Sequence, residues 1–488
     1  MRDQILILNL DNSYSAAIAS KLRAEKISTR ILPATTSAEQ LMNEEALGII
    51  LSGGINGEIP TDFDGQLLRY GIPVLALGNA APAVATLLGS KIGEAQQINE
   101  VDTLTFHPSR ITENLDESER MFGTIYTLGL TDDLEPLASH DGNVVGIAHK
   151  TLSIYAIGCQ LEPNDPDLIR LIMQFATDVC GCTKWWSEDA MISIARSSIS
   201  EAAGEGRALC VMSGGLDSGV TALLAHRALG GRLTCLFVDT GLLRENEVVE
   251  FAAYYKSCGL NLQIIDAEKQ VLAGLKGLTS QQDKQHALRG TLQRVLEETA
   301  AQLDFDLLIE SKSSDFLFSG KKAPSSSILL ASGVPAIAPL EDLFKDEIRR
   351  VGEALGMPAE MTGMQPFPWT GLALRVIGEC TGDKLDLLRW ADARFQDEIK
   401  QAGLAKRLWK YFAMLYDVPY QNATPSLVIA LRAVSISHTG SDLRALPARL
   451  PYDLLERYTQ RVLDYAPQVS RVIFDLTPGS GLQETEWQ

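Results

Sequence analysis

The stretch best suited to chemistry is Ser213-Gly214-Gly215-Leu216-Asp217-Ser218, set between the apolar run ALCVM and the helix-compatible run GVTALLAHRAL. Two glycines let the backbone turn tightly enough for successive amides and a helix N-terminus to face one anion. Ser213 and Ser218 add hydroxyl donors, and Asp217 stands where a helix cap or a magnesium-linked carboxylate is useful. The loop lacks the Gly-Lys-Ser/Thr ending of a Walker loop, so that mode of phosphate binding is not available. In the next apolar run, FVDTGLLR, Asp239 lies about as far downstream as an acid that receives a nucleotide ribose.

These residues need a parallel sheet to position them. Ala208–Met212, Leu233–Asp239, Leu262–Asp266 and Phe305–Ile309 read as strands, with a helix over Gly219–Leu229, which are nucleotide-binding proportions. Upstream, the runs at 5–10, 48–52 and 73–77 alternate with helix-compatible stretches at Ala16–Lys26 and Ala81–Leu88 and predict a first parallel α/β domain. Strand candidates Val144–Ile147 and Ile154–Cys159 precede a helical run from Pro166 to Cys180, after which CTKWWSED breaks the pattern. Beyond QPFPWTG, helices over Lys384–Ala402 and Tyr452–Tyr465 mix with strands over Leu427–Val434 and Arg471–Asp475. The expected domains are therefore 1–180 (α/β), 181–365 (α/β) and 366–488 (small α+β), in keeping with roughly 150 residues per domain.

Bulk properties narrow the class of partner. The net charge of −19, with no Lys/Arg-rich stretch, disfavours a nucleic-acid substrate. The opening MRDQILILNL is too short an apolar run for a signal peptide or a membrane span and reads as a first strand. Seven scattered cysteines, with Cys180 and Cys182 as the one close pair, suggest reduced thiols in a cytoplasmic protein.

With SGGLDS, FVDTGLLR, PLEDLFKDEIRRVG at 339–352 and LPYDLLERYTQRV at 450–462, the chain resembles the glutamine-hydrolysing GMP synthetase family over nearly its whole length. The resemblance implies a class I glutaminase-like domain, a PP-loop ATP pyrophosphatase domain and a C-terminal dimerisation domain, hence a homodimeric ligase of purine metabolism. It also implies ATP and Mg2+. The substrate oxygen is adenylated, pyrophosphate leaves, and ammonia displaces AMP. Residues matching the ATP-handling motifs are Ser213, Gly214, Gly215, Leu216, Asp217, Ser218, Val238 and Asp239. Asp217 is the implied metal ligand, and Lys345 and Asp346 match the lid-like FKDE segment, with Lys345 placed to neutralise pyrophosphate as it departs.

Other family positions have changed. The family's nucleophile sits in a Gly-x-Cys-x-Gly elbow, where this chain reads PVLALGNAAP and places Gly78 at the cysteine. The family's His-Pro-Glu becomes Glu162-Pro163-Asn164 in GCQLEPN, so thiol attack on an amide has neither thiol nor imidazole. Cys159, in the same region, reads as a buried structural thiol. At the acceptor site MQPFPWTGLALR puts Met364 and Gln365 in place of an Arg-His pair and Trp369 at a glycine, and Ser480 falls near a phosphate-binding lysine while Glu486 and Trp487 are retained. Arg375 and Glu486 remain as acceptor-binding candidates, and Lys312, Lys321 and Lys322 are new basic residues that bind a different acid or solvate a loop. The expectation is an ATP-dependent ligase without its own glutamine hydrolysis, acting on an acceptor other than xanthosine monophosphate with ammonia or another nucleophile. The alternatives are GMP synthesis fed by ammonia or an external glutaminase, and an inactive paralogue that serves as a binding partner.

Overall fold

The computed structural model describes residues 3–53, 59–60, 63–115, 118–314, 333–363, 370–418, 426–439 and 442–477. These form two compact units, Met1–Met191 and Ile192–Gln488. None of the described helices is long and apolar enough to cross a membrane.

The first unit is built on one mixed ten-stranded sheet. Its parallel part is β1 (Ile5–Asn9), β2 (Thr29–Pro33), β3 (Gly48–Ser52), β4 (Val74–Leu77) and β9 (Ile154–Ile157). Buried Leu6, Leu8, Ile49, Leu51 and Ala76 on these strands pack with Val84 and Ala85 of α3 (Ala80–Leu87), as the apolar runs suggested. Helix α1 (Asn12–Ala24) begins where the Asp11 carboxylate accepts the amides of Ser13 and Tyr14 at 3.0 Å. The remaining strands are antiparallel: β5 (Ile92–Phe106), β6 (Ser118–Leu128), β7 (Leu134–His140), β8 (Asn143–His149) and β10 (Cys159–Leu161). The sequence did not flag β5, whose run IGEAQQINEVDTLTF is largely polar.

Two elements differ from the sequence reading. The expected strand Ile154–Cys159 divides at Gly158, whose amide donates to Val145 O at 2.7 Å while its carbonyl accepts Tyr126 N at 2.8 Å. A Cβ there would stand 3.0 Å from Tyr126 O and 3.1 Å from Val145 O, so glycine leaves room where the chain crosses from one strand pairing to the next. The helix expected to Cys180 is regular only over Pro166–Gln174 and continues as a wider π-type turn, Phe175–Val179. The CTKWWSED segment, placed past the boundary by composition, is tied to the first unit. Thr183 N donates to the Asp3 carboxylate at 3.1 Å, Trp185 Nε1 to Asp3 O at 2.7 Å and Trp186 N to Lys26 O at 2.9 Å.

The second unit carries a five-stranded parallel sheet in the order β13-β12-β11-β14-β15. The strands are β11 (Ala208–Met212), β12 (Leu233–Asp239), β13 (Leu262–Asp266), β14 (Leu307–Ile309) and β15 (Ala336–Ile337). A second sheet joins β16 (Val376–Ile377), β17 (Lys410–Val418), β18 (Ser426–Thr439), β19 (Asp442–Pro447) and β20 (Val469–Phe474). The regions 181–365 and 366–488 do not separate, because one apolar core runs from Leu242, Val271 and Leu288 to Leu388, Phe395 and Tyr458. Mixing apolar surface from both regions removes it from water, which couples them.

Helix α6 covers Leu216–Leu229, one turn earlier than expected, so Asp217 and Ser218 belong to its first turn. It packs closely on α7 (Glu247–Ser257) at Gly219, where a Cβ would collide with the Tyr255 hydroxyl and stand 3.1 Å from Tyr255 Cζ. An alanine free of clash would stabilise a helix by about 1 kcal/mol relative to glycine. Here Tyr255, buried, has no room to yield, and Gly219→Ala is expected to destabilise the second unit by about 1–3 kcal/mol. Urea unfolding of Gly219→Ala alone and with Tyr255→Phe checks this. The double variant should recover part of the loss, and a stabilised single variant would refute the close approach.

Candidate functional site

The order of strands places a switch point between β11 and β14. The chain moves outward one way through β12 and β13, then returns to the other side of β11, opening a crevice at the carboxyl ends of β11 and β14. The Ser213–Ser218 loop lies at that end. Gly214 takes φ +87, a region open to glycine, and Gly215 is extended at φ −80, ψ 165 as the helix cap. The turn leaves the first amides of α6 at a helix N-terminus without a side-chain cap.

Ser218 has a role that its position in the motif did not show. Its hydroxyl donates to Gly215 O at 2.9 Å and accepts Ser213 N at 3.1 Å and Ser213 Oγ at 3.2 Å. At 1% exposure it faces inward and braces the loop, which corrects the expectation of a hydroxyl donated to the anion. Asp217 projects from the first turn with its side chain 14% exposed. Lys345 Nζ, at the start of the helix Lys345–Ala354, donates to Asp217 Oδ2 at 2.5 Å. Asp217 Oδ1 is buried and has no hydrogen-bond partner among the described residues. The structure therefore brings Lys345 to the loop. Asp346, its neighbour, is 71% exposed and lies 3.9 Å from Arg350 along its own helix.

Asp239 ends β12 and its carboxylate accepts Gly241 N at 3.0 Å, while Val238 packs against the sheet core. The loop that follows is held from the far part of the chain. Arg389 donates to Gly241 O at 2.6 Å and to Leu243 O at 2.9 Å, Leu372 N donates to Leu242 O at 2.8 Å, and Arg394 meets Glu245 at 2.7 Å. Burial raises the pKa of Glu247, which accepts Arg244 N at 2.9 Å. Burial lowers that of Lys284 on α9 (Gln281–Ala300), whose ammonium donates to Val376 O at 2.6 Å. Sequence reading missed Arg389, Arg394 and Lys284, since partners more than 80 residues away leave no local signal.

At the end of β14, Glu310 and Ser313 are buried, with Glu310 Oε1 and Ser313 Oγ lacking hydrogen-bond partners among the described residues. The register Cys210↔Ile309 sets this segment one strand from the phosphate loop. Lys312, one of the new basic residues, pairs with Glu310. Arg375 is 8% exposed, with Nη1 3.3 Å from Asp392 Oδ1 and its guanidinium 4.5 Å from the Phe412 ring centre. It is thus engaged inside the fold. Lys321, Lys322, Met364, Gln365, Trp369, Ser480, Glu486 and Trp487 lie outside the described residues.

In the first unit Gly78 occupies the sharp turn from β4 to α3 at φ +58, with its amide on Ile157 O at 2.9 Å. That is the left-handed strand-to-helix geometry of a nucleophile elbow, here without a side chain. Glu162 and Asn164 follow β10 in the turn before the helix Pro166–Gln174. Cys159 lies on β10, 2% exposed, on a different strand from the elbow.

Residues 397–481 match the family described as GMP synthase C terminal domain. Glutamine-hydrolysing GMP synthases are similar along the entire length. That of Carboxydothermus hydrogenoformans is 32% identical over 504 residues, covering 98% of this chain and 98% of the relative. That of Clostridium novyi is 32% identical, covering 98% and 97%, and that of Lactobacillus delbrueckii subsp. bulgaricus is 32% identical, covering 97% and 96%. From its first strand to its last sheet, this chain belongs to the GMP synthase family.

Proposed function

We propose that the second unit uses ATP and Mg2+ to adenylate an oxygen of a small acceptor, and that a nitrogen nucleophile, supplied as free ammonia or by another protein, completes the ligation. One observation carries the reading. The loop at the switch point presents helix amides beside a carboxylate whose one oxygen is held by Lys345 and whose other oxygen is buried without a partner among the described residues. An unsatisfied carboxylate oxygen facing a phosphate site suits a hard cation, so Asp217 fits Mg2+. When bound, Mg2+ neutralises and orients the polyphosphate.

The chain's own groups do the rest. The amides after Gly214 cradle the phosphates, Asp239 receives the ribose, and the acceptor oxygen attacks the α-phosphorus as its bond to pyrophosphate breaks. The contact of Lys345 with Asp217 supports a role in neutralising the negative charge that grows on the departing pyrophosphate. The nitrogen then bonds to the activated carbon, the carbon–oxygen bond to AMP breaks, and the nitrogen gives up its proton.

This reading departs from the named relatives in two ways. Gly78 leaves the elbow without a nucleophile and Glu162 and Asn164 replace its base and orienting carboxylate, so glutamine is not the direct nitrogen source. Met364, Gln365 and Ser480 remove cationic recognition, while Arg375 and Lys312 are engaged by Asp392 and Glu310. Each lost charge-assisted bond to a phosphate costs about 1.5–3 kcal/mol, so two losses weaken a nucleoside monophosphate by roughly a hundredfold or more. The acceptor is therefore proposed to be other than xanthosine monophosphate. GMP synthesis from that acceptor with ammonia is the second reading, favoured by the 32% identity across the whole chain. Self-association through the C-terminal region goes with either, supported by Tyr452 and Leu476 exposed at 74% and 67%. A cytoplasmic location goes with both.

Purified protein given glutamine, ATP and Mg2+ is expected to release no glutamate, and ammonium alone should support ligation. Glutamate above the buffer control that disappears in Cys159→Ala would overturn the first part.

Acceptor-dependent ATP–pyrophosphate exchange tests the second part. Asp217→Ala and Gly214→Val should each lower exchange by about a hundredfold or more. Unchanged rates in both place the nucleotide elsewhere. Exchange supported by xanthosine monophosphate at an ordinary enzymatic rate would establish the second reading instead.

A further inference from the structure

The first unit holds a donor set that plays no part in the chemistry above. Asp102 lies on β5, His140 ends β7, and Asp141 opens the turn to β8. One ligand atom from each comes within 4.8 Å of the others. His140 is 6% exposed, and its Nδ1 stands 3.0 Å from Thr103 O. A carbonyl only accepts, so Nδ1 carries the proton and the ring turns Nε2 toward Asp102 Oδ2 at 3.6 Å and Asp141 Oδ2 at 3.8 Å. A backbone carbonyl on the distal nitrogen is the usual way a metal-binding imidazole is oriented.

The separations choose between an ion pair and a shared ion. A charge-assisted hydrogen bond would draw nitrogen and oxygen to about 2.7–2.9 Å. Two ligands each about 2.0–2.2 Å from a tetrahedral ion stand roughly 3.3–3.6 Å from one another. The observed 3.6 Å and 3.8 Å are too long for the first and lie at and just beyond the upper end of the second, so a small closing movement would seat an ion. The backbone holds the third ligand in place: Asp141 at φ +48 and Gly142 at φ +75 form a tight hairpin turn whose head carries the carboxylate. Asp102 and Asp141, exposed at 37% and 81%, leave the outer side of the set open to water.

We propose that Asp102, His140 and Asp141 bind one first-row divalent metal ion of the kind that one imidazole and two carboxylates favour, Zn2+ above all, and that the ion staples β5 to the β7–β8 hairpin. The ion sits among a nitrogen and two oxygens, completes its shell with water, and ties the largely polar β5 to the β7–β8 hairpin.

The test is calorimetric titration of Zn2+ into the full chain after chelator treatment, with thermal melts in parallel. One site per chain with micromolar or tighter affinity is expected, and zinc should raise the melting temperature. His140→Ala and Asp141→Asn should each weaken binding by about tenfold or more. Asp141→Asn keeps a residue that tolerates positive φ in an exposed turn, so its zinc-free melt should match that of the unaltered chain. His107→Ala and Asp217→Ala should leave the site intact. Absence of zinc binding, binding unchanged in both His140→Ala and Asp141→Asn, or binding lost with Asp217→Ala overturns the proposal and leaves an ordinary histidine–aspartate ion pair.

Discussion

The Ser213–Ser218 loop depends on a single constraint: a parallel strand must end, turn through a left-handed residue and begin a helix within three residues. Gly214 supplies the turn at φ +87 and Ser218 closes it, because its hydroxyl reaches back to Gly215 O and Ser213 N from the first turn of α6. With the hydroxyl turned inward, the free amides of the helix start are left to face the ligand. Asp217 is carried outward on the same turn and meets Lys345, 128 residues away, at 2.5 Å. Loosening the turn would therefore shift the amides, the carboxylate and the lysine's partner together.

A second set of interactions binds the C-terminal region to that site. Asp392, 2% exposed, accepts Ala413 N at 2.8 Å and lies 3.3 Å from Arg375 and 3.9 Å from Arg244. Arg389, from the same helix Gly382–Gln401, holds the carbonyls of the loop after Asp239. A buried carboxylate with this many donors is costly to leave half-satisfied, so the helix and the loop it supports have one joint arrangement. This is why the residues downstream of 365 share a core with the nucleotide-binding sheet.

The two units preserve their ancestry differently. In the second, the Ser213–Ser218 loop joins β11 to α6 with Lys345 beside Asp217. In the first, the backbone makes a left-handed strand-to-helix turn at Gly78, where no side chain is present. A backbone conformation embedded between buried β4 and α3 is maintained by the core around it, whereas an exposed nucleophile and base are free to change without loss of packing.

By itself the sequence determined the parallel strands, since their apolar runs are continuous where both faces are buried, and it determined the phosphate loop, since glycine, serine and aspartate act there through local geometry. It also showed glycine at position 78, because an absent side chain is visible without coordinates. Other features only the tertiary structure decided. The polar arm β5–β6 pairs through its backbone, which side-chain patterning does not record. The inward turn of Ser218, the engagement of Arg375 by Asp392, the support from Arg389 and the grouping of Asp102 with His140 all join residues through directions of side chains, most of them far apart in the chain. Residue type and spacing carry hydrophobic period and turn chemistry, but which charge meets which is settled only when packing brings distant elements together.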